Sequence, residues 1–341
     1  MRIVVTGATG NLGTALLRRL TTGEHEVVGV TRRPPPDTEP YLGLEWTRAD
    51  LGEPDATDAL APAMAGAHAV VHLAFLLQPS HDRELMRRAN QGGTRAVATA
   101  AERAGVRHLV HVSSIGTYAP ATSSTPVDES WPNTGFETSP YSVDKAAAES
   151  ILDDYEQSMT ISRLRPTLVL QDSAASEISR YFLGPLIPPQ LVRRSLLRLA
   201  PWPRELALQF VHSDDVAAAI DTVLSAGAGG AFNVAADPVI DRAAFATLFG
   251  GVGPALPPKL LRAVTDLTWR ARIQPTDPGW VDLAIGMPLL DTSRLRALGW
   301  APAHDGAEVL SSFVDALAAG RGGAGALLYP RGLRRKTGRK Q

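Results

Sequence analysis

The chain predicts an α/β fold, a doubly wound parallel sheet with a smaller C-terminal region attached, and three observations carry that prediction. Short apolar strands alternate with segments of helical spacing. The strands are apolar on both faces, as strands covered by helices on both sides must be. A glycine-rich turn joins the first strand to the first helix. Ile3, Val4 and Val5 run into Gly7, after which Leu12, Ala15, Leu16, Leu17 and Leu20 recur at helical spacing. Val27, Val28 and Val30 form the next strand. Ala69-Val70-Val71-His72-Leu73 reads as strand, residues 82 to 104 as helix, and Leu109-Val110-His111-Val112 as strand again. Residues 119–140, rich in Ser, Thr and Pro, predict a long loop ahead of a helix that begins near Tyr141. Long ordered loops at the C-terminal ends of strands tend to border binding sites.

Beyond Pro166 the regular alternation lapses, and Pro185, Pro188, Pro189, Pro201 and Pro203 punctuate a segment suited to a smaller lid-like region. The predicted organisation is a nucleotide-binding core over residues 1–170, rejoined by about 208–235. A substrate-binding region is expected over 171–207 and 236–320, with a solvated basic tail over 321–341 containing Arg334-Arg335-Lys336, Arg339 and Lys340. The 34 Lys plus Arg against 35 Asp plus Glu leave a formal charge of -1, so no broad basic field is available to hold a nucleic-acid backbone. Cysteine is absent, which excludes a disulfide scaffold, a thiolate metal site and a thiol nucleophile together. The eight histidines are accompanied by no carboxylate cluster at metal-ligand spacing, so no metal site is expected. With no secretory leader and no run of about 18 apolar residues, the expectation is a cytoplasmic protein with no membrane partner.

Gly7-Ala8-Thr9-Gly10-Asn11-Leu12-Gly13 follows a strand and opens a helix, the context that separates a phosphate-binding turn from a chance cluster of glycines. Gly7 permits the tight turn, Gly10 lets the backbone approach a pyrophosphate, and Gly13 lets helix and sheet pack closely. The helix N-terminus then offers unpaired N–H groups to the anion. Tyr141-Ser142-Val143-Asp144-Lys145 places a phenol and an ammonium one turn apart on one helical face, and Ser113-Ser114 closes the preceding strand.

The G-x-x-G-x-x-G spacing, the Tyr-x-x-x-Lys pair and the Ser together resemble the short-chain dehydrogenase/reductase superfamily. Further stretches resemble its extended branch, the NAD-dependent epimerase/dehydratase family: Asp50-Leu51, His72-Leu73-Ala74, Asn90-Gln91-Gly92-Gly93-Thr94, Arg165-Pro166-Thr167, Phe210-Val211-His212-Ser213-Asp214-Asp215-Val216-Ala217, Phe232-Asn233-Val234 and Leu298-Gly299-Trp300. The resemblance implies a Rossmann-type core binding a nicotinamide dinucleotide. It implies cofactor contacts from Gly7, Thr9, Gly10, Asn11, Leu12, Gly13, Asp50, Leu51, Leu73, Ala74, Tyr141, Lys145 and Pro166. It also implies a catalytic group of Ser114, Tyr141 and Lys145 supported by Asn90, and a homodimer paired through the Tyr141 helix and the long helix before the fifth strand. In chemical terms, hydride movement at a carbinol carbon leaves a proton to be exchanged on its oxygen. A tyrosine with an ordinary pKa near 10 does this at neutral pH only with help from a nearby cation such as Lys145. Glu129, ahead of the Tyr helix, reads as a loop stabiliser.

Two departures bear on substrate and cofactor. Members acting on nucleotide-linked sugars carry Arg-Asp before the segment that starts at Phe210, and here those positions are Leu208 and Gln209. A second family arginine falls near Gln274 and Pro275, ahead of Asp277, and is missing too. A diphosphate is usually gripped by bidentate Arg contacts, so a nucleotide sugar is not expected. Arg180, Arg193, Arg194 and Arg198 are the substitute cations available. At the end of the second strand, where an NAD site carries Asp or Glu, the chain has Thr31-Arg32-Arg33. Arg32 and Arg33 favour the 2′-phosphate of NADP, with NAD as the alternative. The expected function is hydride transfer at a secondary alcohol or ketone of a small substrate. A sugar epimerase or dehydratase is the alternative among enzymes, and a non-catalytic dinucleotide sensor is the alternative outside them.

Overall fold

The computed structural model describes residues 1–23, 25–33, 35, 37–77, 80–121, 124–175, 178, 192 and 194–321. The strands are β1 Arg2–Thr6, β2 Glu26–Thr31, β3 Glu45–Arg48, β4 Ala69–His72, β5 His108–Val112, β6 Thr160–Pro166, β7 Leu168–Leu170, β8 Leu208–His212, β9 Gly230–Val234 and β10 Ala236–Ile240. The main sheet has seven parallel strands in the order β3-β2-β1-β4-β5-β6-β9, and β10-β8-β7 form a separate small sheet. The strand order reverses between β1 and β4, which places the binding crevice of an open α/β sheet at the carboxyl ends of these two strands.

Both faces of the main sheet are covered, as the two-sided apolar strands require. Helix α1 (Asn11–Leu20) buries Leu16, Leu17 and Leu20 against Ile3, Val5 and Val71. On the other face, helix α2 (Ala56–Met64) sets Leu60 and Met64 against Val4, Val28 and Val70. The segment expected as one helix over 82–104 is α3 (Arg83–Arg87) and α4 (Gly93–Arg103) joined by a π-helical turn at Arg88–Gly92. Such turns insert one extra residue and re-aim side chains, and they recur at functional sites. The long loop ends at Ser139, whose side chain caps helix α5 (Pro140–Asp153), with proline at the first turn where its missing N–H costs nothing.

The C-terminal half holds the short α6 (Arg194–Leu197), α7 (Ser213–Ala226), α8 (Arg242–Phe249), α9 (Pro258–Arg270), α10 (Gly279–Gly286), the short α11 (Ser293–Arg296) and α12 (Gly306–Ala318). The segment expected to rejoin the core divides: β9 pairs with β6 in the main sheet, whereas β8 pairs with β7 and β10 in the small one. The small sheet is backed by Phe245 and Phe249 of α8 and Phe313 of α12. Most of the lid-like segment, with Arg180 and Arg193, and the tail over 322–341 lie outside the described residues.

Three buried histidines sit in the core strands. His72 on β4 and His111 on β5 are register partners with ring centroids 5.3 Å apart. His72 bonds Thr6 at 2.7 Å and Thr94 at 3.2 Å, both hydroxyls. Burial, reinforced by the nearby Lys145, pushes His72 down to about 3 and His111 well below its ordinary value, and burial also lowers His108. These rings fold neutral and take up protons on unfolding. Their contribution to stability is therefore complete above pH 6.5 and is lost as the pH falls toward the folded-state values. Each such histidine removes about 1.4 kcal/mol per pH unit within that window. The urea unfolding midpoint should drop steeply between pH 7 and 5; a midpoint unchanged over that range would contradict this reading.

Candidate active site

The glycine turn is built by close approach. Gly7 has φ 70°, and a Cβ there would lie 2.7 Å from the Ala74 amide nitrogen. A Cβ on Gly13 would lie 2.3 Å from the Gly7 carbonyl oxygen. The turn and the segment after β4 thus touch backbone to backbone at the strand-order reversal. Helix α1 has no side chain bonding its first-turn amides from the cap position and no acid in its first turn. Its N-terminal N–H groups and positive dipole end face the turn, the setting in which an anion is held. Asn11, also in this turn, accepts a bond from Gln171 through its backbone carbonyl at 3.2 Å and another through its side chain. These observations fit a dinucleotide pyrophosphate.

Ser114, Tyr141 and Lys145 come together at the end of β5. The Ser114 hydroxyl oxygen accepts from the Gly116 amide at 3.0 Å, which leaves its own proton free to donate, and a Cβ on Gly116 would meet both that hydroxyl, at 3.4 Å, and the Tyr141 ring, at 3.1 Å. Burial raises Tyr141 to about 12, and the neighbouring Ser114 hydroxyl pulls against that rise. Lys145 is buried; its ammonium donates to the Val112 carbonyl at 2.9 Å and lies 3.8 Å from the centre of the Phe75 ring. Burial lowers Lys145 to about 7, with Glu149 one turn further along α5 opposing the shift.

Two aromatic residues that the sequence did not single out complete this group. Trp280, from α10, stacks on Tyr141 with centroids 4.9 Å apart at 25°, and Phe75 meets the same ring edge-on at 5.7 Å. Gly279 lets α10 come this close, because a Cβ there would fall 2.2 Å from the Thr138 carbonyl oxygen. The signal for Phe75 was its place directly after Leu73-Ala74. Nothing local marked Trp280.

Asn90 acts at one remove. Its side-chain oxygen accepts from the Leu76 amide at 2.7 Å, and its nitrogen donates to the Leu76 carbonyl at 3.2 Å and to Asp144 at 3.3 Å. It pins the Phe75 segment to α5 and is a positioning residue here. Asp50, expected at the cofactor, is exposed and accepts from the Gly52 amide at 3.1 Å. Leu51 is half-buried and supports Gly93. Arg32 and Arg33 are exposed just past β2. Pro166 is buried at the end of β6, and among the described residues no three His, Asp or Glu side chains are placed to hold a metal ion.

The family model described as NAD dependent epimerase/dehydratase family matches residues 3–235. The chain belongs to that family. Its members are enzymes of the short-chain dehydrogenase/reductase type. Similar proteins include a ceramide reductase of Caulobacter vibrioides, 38% identical over 36% of this chain and 37% of that one. A 2-alkyl-3-oxoalkanoate reductase of Stenotrophomonas maltophilia is 33% identical over 50% of this chain and 51% of that one. The chain thus spans about a third to a half of the curated relatives it matches here. Among solved structures, the Thermus thermophilus UDP-glucose 4-epimerase complex with NAD superposes with a TM-score of 0.68 at 23% identity, covering 93% of this chain and 99% of that one. At that identity the likeness is one of fold.

Within this family frame, the positions where nucleotide-sugar enzymes carry arginine are used for packing. Leu208 joins the apolar cluster of the small sheet. Gln209 is buried and clamps Leu290, accepting from its amide at 2.7 Å and donating to its carbonyl at 3.4 Å. Gln274 closes its own turn, donating to the Thr276 carbonyl at 2.7 Å. Arg194 is committed to Asp315.

A buried ion pair joins Arg165 of β6 to Glu149 of α5 through bonds of 2.9 and 2.5 Å, with the Glu149 side chain fully buried. Arg165 also donates to the Glu129 carbonyl at 3.3 Å and lies over the Tyr118 ring. Glu129 accepts from the Asn233 amide at 2.8 Å, and Tyr118 donates to the Asn233 side chain at 2.7 Å, so Glu129 holds its loop to β9. Arg165→Met should destabilise the protein by about 3–5 kcal/mol, because it strands a buried carboxylate, and Arg165→Met with Glu149→Leu should recover most of that loss. Urea unfolding of the single and double variants decides it; equal loss in both would remove the pair from this role.

Proposed function

We propose that this chain is an NAD(P)-dependent oxidoreductase that prefers NADP and acts at a secondary alcohol or ketone of a small, apolar substrate. The observation that carries the reading is the convergence of Ser114 and Tyr141 beside Gly116, with Phe75 and Trp280 against the Tyr141 ring, in a site whose expected phosphate-gripping positions are spent on packing. A bound nicotinamide supplies or takes up the hydride. Gly7, Thr9, Gly10, Asn11, Leu12 and Gly13 would hold its pyrophosphate. Leu73, Ala74, Lys145 and Pro166 would line its nicotinamide half, and Asp50, Leu51, Arg32 and Arg33 the adenosine half.

Tyr141 and Ser114 manage the proton. With its pKa at about 12 the phenol is protonated at neutral pH, the form that can give a proton to a carbonyl oxygen as it gains negative charge. Ser114, already accepting from Gly116, has one O–H to direct at the same oxygen. Lys145, one turn along α5, favours in its protonated form the phenolate that this step leaves. The aromatic cover excludes water and offers apolar area to the carbon skeleton flanking that oxygen. Two of the curated relatives are named for activity on a ceramide and on an alkyl oxoalkanoate, which agrees with an apolar substrate, while another, 32% identical over 46% of this chain, is a UDP-glucose 4-epimerase of Mycolicibacterium smegmatis and speaks for the epimerase alternative. Residues 236–320 would supply the substrate side of the site, with Trp280 as its contact to Tyr141. Homodimer formation through α4 and α5, as the resemblance implies, belongs to the same proposal.

The decisive experiment incubates the pure protein with NADPH and a panel of long-chain ketones. A reductase consumes the cofactor stoichiometrically, whereas an epimerase shows no net consumption. Tyr141→Phe should lower turnover by about two to four orders of magnitude with NADPH affinity nearly unchanged. Unchanged turnover would reject Tyr141 as the acid. UDP-glucose should show no micromolar binding by calorimetry.

Cofactor choice follows from Arg32 and Arg33. A guanidinium at the end of β2 can grip a 2′-phosphate with its planar fork and brings no charge that repels one. NADPH should bind more tightly than NADH, and Arg32→Ala with Arg33→Ala should erase most of the difference in fluorescence titrations. Equal or tighter NADH binding by the wild-type protein would sink the preference.

A further inference from the structure

Helix α9 carries an apolar face that the described residues do not cover. None of its thirteen residues is buried, and Leu260, Val264 and Leu267 are 49%, 52% and 70% exposed. At spacings of four and three they form one stripe along the helix, continued past its end by Ile273 at 50%. The opposite side of the helix is accounted for. Trp269 stacks on His81 with centroids 3.7 Å apart, Gln274 bonds Thr265 and Thr268, and Arg262 pairs with Asp282 of α10. The stripe therefore faces outward in the docked position of the helix.

The charge around the stripe is mostly positive. Lys259, Arg270 and Arg272 are exposed, and the one acid in the segment, Asp266, is half-buried and paired with Arg270, while Arg262 on the opposite side is paired with Asp282. With Asp282 counted, the segment 258–273 carries four cations less two anions, or +2. The sequence adds a second basic run, Arg331 to Lys340, with six cations and no acid. An apolar stripe flanked by cations is the pattern of a helix lying in the headgroup region of an anionic bilayer, and stable attachment there takes two signals, such as a helix and a polybasic run. A soluble acidic partner would answer the cations but leave the aliphatic stripe without a match.

We propose that this face docks the enzyme on an anionic lipid bilayer. The contact is peripheral, since no helix among the described residues is long and apolar enough to cross a membrane. It departs from the expectation of no membrane partner, which rested on the lack of a long apolar run, because a peripheral helix needs no spanning segment. The placement suits the substrate class proposed above, on which this inference partly rests. Helix α9 packs on α10, and α10 carries the Trp280 that covers Tyr141, so docking sets the mouth of the site next to the lipid surface.

The test is flotation of the full chain with vesicles of 30% phosphatidylglycerol in phosphatidylcholine, and with phosphatidylcholine alone. Wild type should float with the anionic vesicles and lose most of that binding on phosphatidylcholine or in high salt. Leu260→Ser with Leu267→Ser should reduce the bound fraction at least tenfold, while circular dichroism and NADPH binding stay as in wild type. Lys259→Gln with Arg272→Gln should reduce it several-fold. Absence of wild-type flotation, or equal flotation by the leucine variant, would overturn the proposal. So would a wild-type dimer in analytical ultracentrifugation that the leucine variant converts to monomer, because a second copy would then be the occupant. Tyr141→Phe should float like wild type, and the leucine variant should reduce a water-soluble ketone normally, so failure of docking and failure of the catalytic reading are told apart.

Discussion

The Arg165–Glu149 pair is the contact on which the geometry of this site depends. It ties β6 to α5, and α5 carries both Tyr141 and Lys145. A buried ion pair is weak evidence for net stability, since desolvation offsets much of the attraction. Its value here is directional. A guanidinium meeting a carboxylate through two bonds allows one orientation of helix against strand, where apolar packing alone would tolerate sliding. Arg165 reaches the Glu129 carbonyl as well, so the same side chain that places the helix also holds the long loop in front of it. Glu149 has a further effect, because its charge partly offsets the burial that lowers Lys145.

The parts of this structure legible in the sequence are those whose physics is local. Gly7, Gly10 and Gly13 follow a strand and open a helix, and the close contacts of Gly7 and Gly13 explain why no side chain is accommodated there. Tyr141 and Lys145 are four residues apart on one helix, so their shared face follows from helical geometry. Ser114 could be placed because the strand before it was readable as an apolar run.

What was not legible depends on contacts between distant segments. Arg165 was read with Pro166 and Thr167 as part of a turn, and no local pattern announces that its partner is Glu149. Trp280 reaches Tyr141 because Gly279 allows α10 to press against the start of α5. That glycine has no unusual backbone angle and no motif around it. The small sheet escaped notice because β7 has three residues and β8 reads like one more strand of the main sheet. The π-helical turn at Arg88–Gly92 escaped because apolar periodicity over twenty residues is insensitive to one extra residue, although that residue helps decide where Asn90 points.

Asn90 orders the surface against which Tyr141 and Lys145 pack without touching either side chain. It bonds both backbone groups of Leu76 and reaches Asp144, the neighbour of Lys145. Phe75, directly before Leu76, touches the Tyr141 ring and the Lys145 ammonium at once. An ammonium held over an aromatic face in a buried site regains from the ring quadrupole part of what it has lost in hydration. Lys145 is thereby kept as a desolvated donor with one carbonyl partner, close to the phenol whose anion it would favour. Loosening Asn90 would free the Phe75 segment, and both functional groups of α5 would lose the surface that orders them, with neither side chain itself altered.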